Sequence, residues 1–155
     1  SGYGKGPNES YWDRKTGQKI GLYSGKIVDQ FHRYSRPQET GNKTDVRWVK
    51  LSSSNLTLSV TSPISLNTSV WPFNMQELDF NSEEALESAS GLVPVTKKHG
   101  ADINIGTTVQ WNIDYLQMGV GGDTSWGRLV HPDYIISGNN NYSYSFAITP
   151  KNNSL

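Results

Sequence analysis

Leu56-Thr57-Leu58-Ser59-Val60-Thr61 alternates cleanly, with Leu56, Leu58 and Val60 on one side of an extended chain and Thr57, Ser59 and Thr61 on the other. A two-residue period is the pattern of a half-buried strand. The same period recurs on both sides of this run. Residues 45–52 put Val46, Trp48 and Lys50 on one face and Arg47, Val49 and Leu51 on the other. Residues 142–149 set Tyr142, Tyr144, Phe146 and Ile148 opposite Ser143, Ser145, Ala147 and Thr149. Further strands are expected over residues 69–78 and 108–118. Glycine (15) and proline (7) punctuate the chain, with Ser, Thr and Asn filling the intervals. Many short strands joined by turns predict an all-β chain of β-sandwich type. One short helix is expected over residues 82–89, where Asn81 as N-cap and Glu84 three residues on resemble a capping box. Residues 1–20 and 151–155 read as loosely held ends.

Composition bounds the functions available. The 155 residues are 34% hydrophobic and 18% charged, enough for one ordinary core. Lysine plus arginine and aspartate plus glutamate stand at 14 each. A balanced chain offers no electrostatic case for nucleic acid or an anionic membrane as partner. With no cysteine, disulfides and thiolate metal sites are excluded. There is no run of 18 apolar residues, and Ser1-Gly2-Tyr3-Gly4 does not resemble a signal peptide. Such an abrupt, polar start suits either a cloning scar or a cut inside a longer chain.

The most distinctive block is Met118-Gly119-Val120-Gly121-Gly122-Asp123-Thr124-Ser125-Trp126-Gly127. Three glycines within four residues make a backbone free to take positive φ and to run close to a neighbour. The block is unsuited to a helix or a strand interior. It suits a shaped loop that ends in an indole. A flat exposed ring can lie against the C–H face of a pyranose, with Asp123, Thr124 and Ser125 as candidate polar partners for its hydroxyls. The alternative is that Trp126 plugs a core beside a tight turn.

Other chemistry is sparse. His32, His99 and His131 stand singly, and His131 before Pro132 reads as a solvated loop histidine. No G-x-S-x-G elbow occurs, and the glycine cluster lacks the lysine of a phosphate loop. Glu83, Glu84 and Glu87 read as a solvated surface rather than a glycosidase pair. Six Asn-x-Ser/Thr sequons, at Asn8, Asn42, Asn55, Asn67, Asn141 and Asn152, reflect composition.

Four blocks in order carry a resemblance. They are Gly6-Pro7-Asn8-Glu9-Ser10-Tyr11-Trp12-Asp13-Arg14, then Arg36-Pro37-Gln38-Glu39-Thr40-Gly41-Asn42, then Trp71-Pro72-Phe73-Asn74, and finally the glycine block with His131-Pro132. Together they resemble the C-terminal part of bacterial β-galactosidases of glycoside hydrolase family 2, over nearly the whole chain. The resemblance implies the small-chain domain, a β-supersandwich of galactose-mutarotase-like type, of which this chain would be the C-terminal half. It also implies that a (β/α)₈ barrel elsewhere carries the two catalytic glutamates and the Mg²⁺ and Na⁺ sites. A barrel takes about 200–250 residues and cannot fit here. No catalytic residue, cofactor or metal ligand is therefore expected in this chain.

By the same resemblance, Trp126 is the aromatic platform for the group leaving a galactoside, such as the glucose of lactose. Gly119, Gly121, Gly122, Asp123 and Ser125 would support its loop, the two polar residues through side-chain to backbone hydrogen bonds. Residues 36–42 would brace the same rim. The partners implied are a galactoside or glucose moiety and the barrel and other domains of the parent enzyme. Two alternatives remain at this stage. One is a freestanding carbohydrate-binding module using Trp126 with Trp71 or Trp12, and the other is a purely structural or oligomerising β-sandwich.

Overall fold

A computed structural model describes residues 1–78, 99–123 and 129–153, with the backbone of Ala85–Ser88 and Gly91–Pro94. The expectation of an all-β chain holds. The described strands are β1 (Gly2–Gly6), β2 (Lys19–Tyr23), β3 (Lys43–Ser52), β4 (Leu56–Trp71), β5 (Ala85–Ser88), β6 (Gly91–Pro94), β7 (Gln110–Asp114) and β8 (Ala147–Asn152). Six of them form one antiparallel sheet in the order β2-β1-β3-β4-β7, with β8 also paired to β4. The other two, β5 and β6, form a separate hairpin.

The alternating run opens β4, which continues for 16 residues and is the spine of the sheet. Its first residues join β3 through a tight turn, where the Ser53 hydroxyl oxygen accepts from Asn55 N (3.3 Å) and Leu56 N (3.1 Å). Along the opposite edge, β8 pairs residues 56–61 and β7 pairs residues 67–71. Burial alternates along the strand, with an exposed middle around residues 63–65 and a mostly buried end over residues 66–71. Leu56 is 37% exposed, whereas Val60, Leu66 and Trp71 are buried. Where β4 ends, Trp71 stacks on Phe73 at 5.8 Å and the two pack with Ile103, Phe31 and Leu78 into the described hydrophobic core. That core excludes Trp71 as a sugar platform, because its ring is buried and its Nε1 donates to Thr40 O.

Several local expectations are corrected. The strand expected over residues 69–78 ends at Trp71, because Pro72 has no N–H to continue a ladder and Met75–Glu77 turns as a 3₁₀ helix. Over 108–118 only Gln110–Asp114 is strand. Over 142–149 the strand begins at Ala147. Continuing the β4–β8 register would set Ser145 opposite Pro63, which cannot donate; Ser62 Oγ donates to Ser145 O instead, at 2.9 Å. The rings of Tyr144 and Phe146 still stack on one another and Tyr144 on Tyr115.

The helix expected over 82–89 is not formed in its described part. Ala85–Ser88 is strand β5, pairing Leu86 with Val93 and Ser88 with Gly91. A cross-strand partner overrides the capping-box pattern. Residues 81–84 and 89 lie outside the described residues.

The opening residues differ most from expectation. β1 lies inside the sheet, between β2 and β3. Gly2, Gly4 and Gly6 share one face at the strand period. A Cβ on Gly4 would sit 2.9 Å from Val46, and one on Gly6 would sit 2.7 Å from the Tyr23 ring. Glycine here grants close approach rather than slack. At the other end, Lys151 and Asn152 belong to β8.

Candidate functional site

The segment between β1 and β2 doubles back on itself. Tyr11 N donates to Arg14 O (3.2 Å) and Arg14 N to Tyr11 O (2.9 Å), which sets Trp12 and Asp13 at the turn's tip. The Asp13 side chain is wholly buried there. Its carboxylate accepts from two successive backbone N–H groups of the glycine loop, Val120 N to Oδ1 at 3.0 Å and Gly121 N to Oδ2 at 2.9 Å. A carboxylate has acceptors only, so two converging N–H donors satisfy it without a counter-cation. The chain then turns through two left-handed residues, Gly121 (φ +62°) and Gly122 (φ +78°), a backbone that glycine takes without strain.

Arg14 holds the other side of the loop. Its Nη2 donates to Gly121 O at 2.7 Å and to the Asp123 carboxylate, and Asp123 also bonds His131 Nε2. The His131 ring first, and then the Arg14 guanidinium, hold the Asp123 carboxyl below the usual carboxylate range. Asp123 thus anchors through side chains, where backbone partners were expected. His131 is exposed, as its sequence context suggests, yet it has this partner.

Gly119 completes the seat. Its N donates to Tyr134 O at 2.9 Å, and a Cβ on it would sit 2.7 Å from Asp13 Oδ2 and 2.8 Å from Tyr134 Cβ. Tyr134 ends the Pro132–Tyr134 3₁₀ turn and meets Trp12 edge-on at 5.9 Å. Of the loop residues expected from sequence, Gly119, Gly121, Gly122 and Asp123 therefore come together with Asp13, Arg14, Tyr134 and His131. Ser125 and Trp126 lie outside the described residues, as do Thr124 and Gly127.

A second cluster lies at the start of the same turn. Glu9 accepts from Gly41 N (2.6 Å), from Thr40 Oγ1 (3.2 Å) and from the Tyr34 hydroxyl. Ser10 N donates to Asn42 O and Asn42 Nδ2 to Ser10 O, each at 2.8 Å. Thr40, Gly41 and Asn42 therefore brace the 9–14 turn. Glu39 also reaches toward the loop through a hydrogen bond with Gln117, just ahead of Met118. Burial pushes the Glu39 carboxyl up to about 7, and Asp114 nearby adds to the rise. Burial also raises the neighbouring Tyr11 hydroxyl and Asp114.

Beside the turn lies a groove of about 280 Å³, lined in part by Trp12, Lys15, Asp45, Asn67 and Tyr115. Lys15 and Asp45 pair across it at 3.2 Å. Among the described residues, no three His, Asp or Glu side chains converge as a metal site would require. Asp13, Arg14 and Tyr134 were given no role by sequence reasoning. The only signal was the Trp12-Asp13-Arg14 string inside the resemblance.

Comparison with known proteins bears on this arrangement. A family model described as beta galactosidase small chain matches residues 2–148. The beta-galactosidase of Priestia megaterium is 35% identical over 152 residues, covering 96% of this chain and 13% of the relative. That of Lactobacillus delbrueckii subsp. bulgaricus is 36% identical over 135 residues, 86% of this chain and 12% of the relative. That of Halalkalibacterium halodurans is 34% identical over 150 residues, 94% of this chain and 13% of the relative. The chain thus spans 12–13% of the length of these curated relatives. With the match extending from β1 into β8, the chain belongs to the β-galactosidase small-chain family.

Proposed function

We propose that this chain is an accessory part of a larger β-galactosidase, and that it presents Trp126 to the sugar leaving a galactoside. Bond cleavage, and the Mg²⁺ and Na⁺ of the parent enzyme, belong to a catalytic barrel outside this chain. The observation that carries the reading is the double hold of Asp13 and Arg14 on residues 119–123, immediately ahead of Trp126. A loop fastened so firmly at the rim supports a role in fixing a ring, and the small share of each relative supports an accessory one. A glycine-supported indole offers a flat, tolerant face to a loosely specified hexose. Stacking contributes about 0.5–1.5 kcal/mol beyond burial.

In the full-length enzyme, Trp126→Ala is expected to weaken glucose as acceptor about two- to tenfold, with inhibition by galactose little changed. Equal loss for both sugars contradicts the reading. The module alternative has lost Trp71 from its platform, because that ring is buried. Titration of the separate chain with lactose distinguishes what remains of it. Saturable binding at millimolar or better would favour a module, whereas an accessory domain binds little until joined to its barrel.

A further inference from the structure

We propose that the groove beside the 9–14 turn is a sugar-binding site in its own right, taking one neutral pyranose unit against the rings of Trp12 and Tyr115. Nothing in this site depends on Trp126, and all of its lining residues lie among the described ones.

Both rings are held in place by residues that do not line the groove. Tyr134 meets Trp12 edge-on at 5.9 Å, and Tyr144 stacks on Tyr115 at 5.8 Å. The Tyr144 hydroxyl in turn donates to Ile113 O at 2.8 Å, so this prop is itself tied to β7. Trp12 and Tyr115 are each only half-buried. Rings fixed before a ligand arrives lose little freedom when it binds. A pyranose laying its C–H face on such a ring gains about two- to tenfold in affinity per contact.

The polar lining sets the charge of the ligand. The two charged side chains of the groove, Lys15 and Asp45, pair at 3.2 Å and cancel, so a charged ligand meets no net attraction. An ammonium has three donors and a carboxylate about four acceptor sites, so the pair keeps both kinds for sugar hydroxyls. Asp45 stands at φ +56°, where the β3–β4 register shifts between Lys43 and Val46. A bulge of this kind re-aims a side chain, and left-handed backbone is least costly for Asp and Asn among non-glycine residues. Asn67 gives Nδ2 to Tyr115 O (3.1 Å) and accepts from Asn42 Nδ2 at Oδ1 (3.4 Å), which fixes its amide and leaves a second N–H. The volume of about 280 Å³ lies near the lower bound of ligand pockets, about 300 Å³, and suits one sugar ring rather than a chain of them.

The test is photolabelling of the full-length enzyme with glucose carrying a diazirine, the labelled residues then being located by mass spectrometry. Location separates this groove from any sugar held at Trp126 or at the catalytic centre. Label is expected at residues 12–15 and 115–117. Excess free glucose or galactose should displace it, whereas sorbitol, which has the hydroxyls without the ring, should not. Trp12→Leu and Tyr115→Leu should each lower the labelling about two- to tenfold, and Trp126→Ala should leave it unchanged. Absence of label at these residues overturns the proposal, as does label that free sugar cannot displace or that sorbitol displaces equally. Labelling unmoved in both groove variants overturns it too, and loss of the label in Trp126→Ala would deny the groove a site of its own. If a groove variant does not fold, displacement by glucose and not by sorbitol in the unsubstituted enzyme still decides.

Discussion

Glu9 and Asp13 lie four residues apart, and each spends its carboxylate on the backbone of a distant loop. Glu9 takes Gly41 N, and Asp13 takes Val120 N and Gly121 N. What differs is the setting of the loop. The one held by Glu9 runs into the interior: Thr40 and Asn42 are fully buried, and Trp71 donates to Thr40 O. The one held by Asp13 runs along a rim, where Asp123 and His131 stay open to water and a Cβ on Gly122 would meet nothing within 4 Å. The same hydrogen-bonding chemistry thus secures the core in one place and holds an exposed loop in the other.

That contrast can be broken by substitution. The largest effect is expected for Glu9→Ala, which strands the Gly41 N–H and removes the acceptor of three hydroxyls, those of Tyr11, Tyr34 and Thr40. A loss of about 2–4 kcal/mol should appear in thermal or denaturant unfolding. A change no larger than that of a surface substitution would mean that the Glu9 cluster is not structural. Asp13→Ala leaves two N–H groups without their acceptor, on a loop whose Val120 is itself exposed. Its cost should be smaller, about 1–3 kcal/mol by the same measurement, and a cost above that of Glu9→Ala would reverse the comparison.

Glu39 sharpens the boundary between the two regions, since it bonds Gln117 ahead of the glycine loop while sitting in the Glu9 turn. Its carboxyl is raised from the ordinary 4.5 to about 7, chiefly by burial. The folded chain therefore keeps a proton there that the unfolded chain releases. Stability is intact below the lower value and falls as pH rises through that window. Glu39→Gln should stabilise the protein by on the order of 1–3 kcal/mol at pH 8 and make little difference at pH 4. An equal effect at both pH values would contradict this assignment. The smallest effect belongs to His131→Ala, which removes an exposed partner of Asp123. It should produce a slight loss of thermal stability that high salt abolishes. A large, salt-insensitive loss would show that the rim is built like the core.

The sequence reveals strands more readily than their limits. Alternation at 56–61 and 45–52 is a local property, and both runs lie within β4 and β3. Boundaries depend on partners. Pro63 and Pro72 stop ladders that alternation alone would extend, and β5 forms against β6 where a capping pattern pointed to a helix. β1 was hidden because glycine reads as looseness, while its role is to let Val46 and Tyr23 approach. At the candidate site, the glycine block is legible as a shaped loop because its composition forbids regular structure. Asp13 and Arg14 were illegible, because a contact across more than a hundred residues leaves no periodic trace.

The most direct measurement is a comparison of Trp126→Ala with Glu9→Gln in the full-length enzyme, scoring transfer of galactose to glucose against transfer to water. Our account predicts that Trp126→Ala shifts this ratio toward water by about two- to tenfold, while the folded fraction of Glu9→Gln keeps the parent's ratio despite its lower thermal stability. If the two variants change the ratio alike, or if only Glu9→Gln changes it, the distinction between a residue that meets the leaving sugar and one that secures the core is wrong.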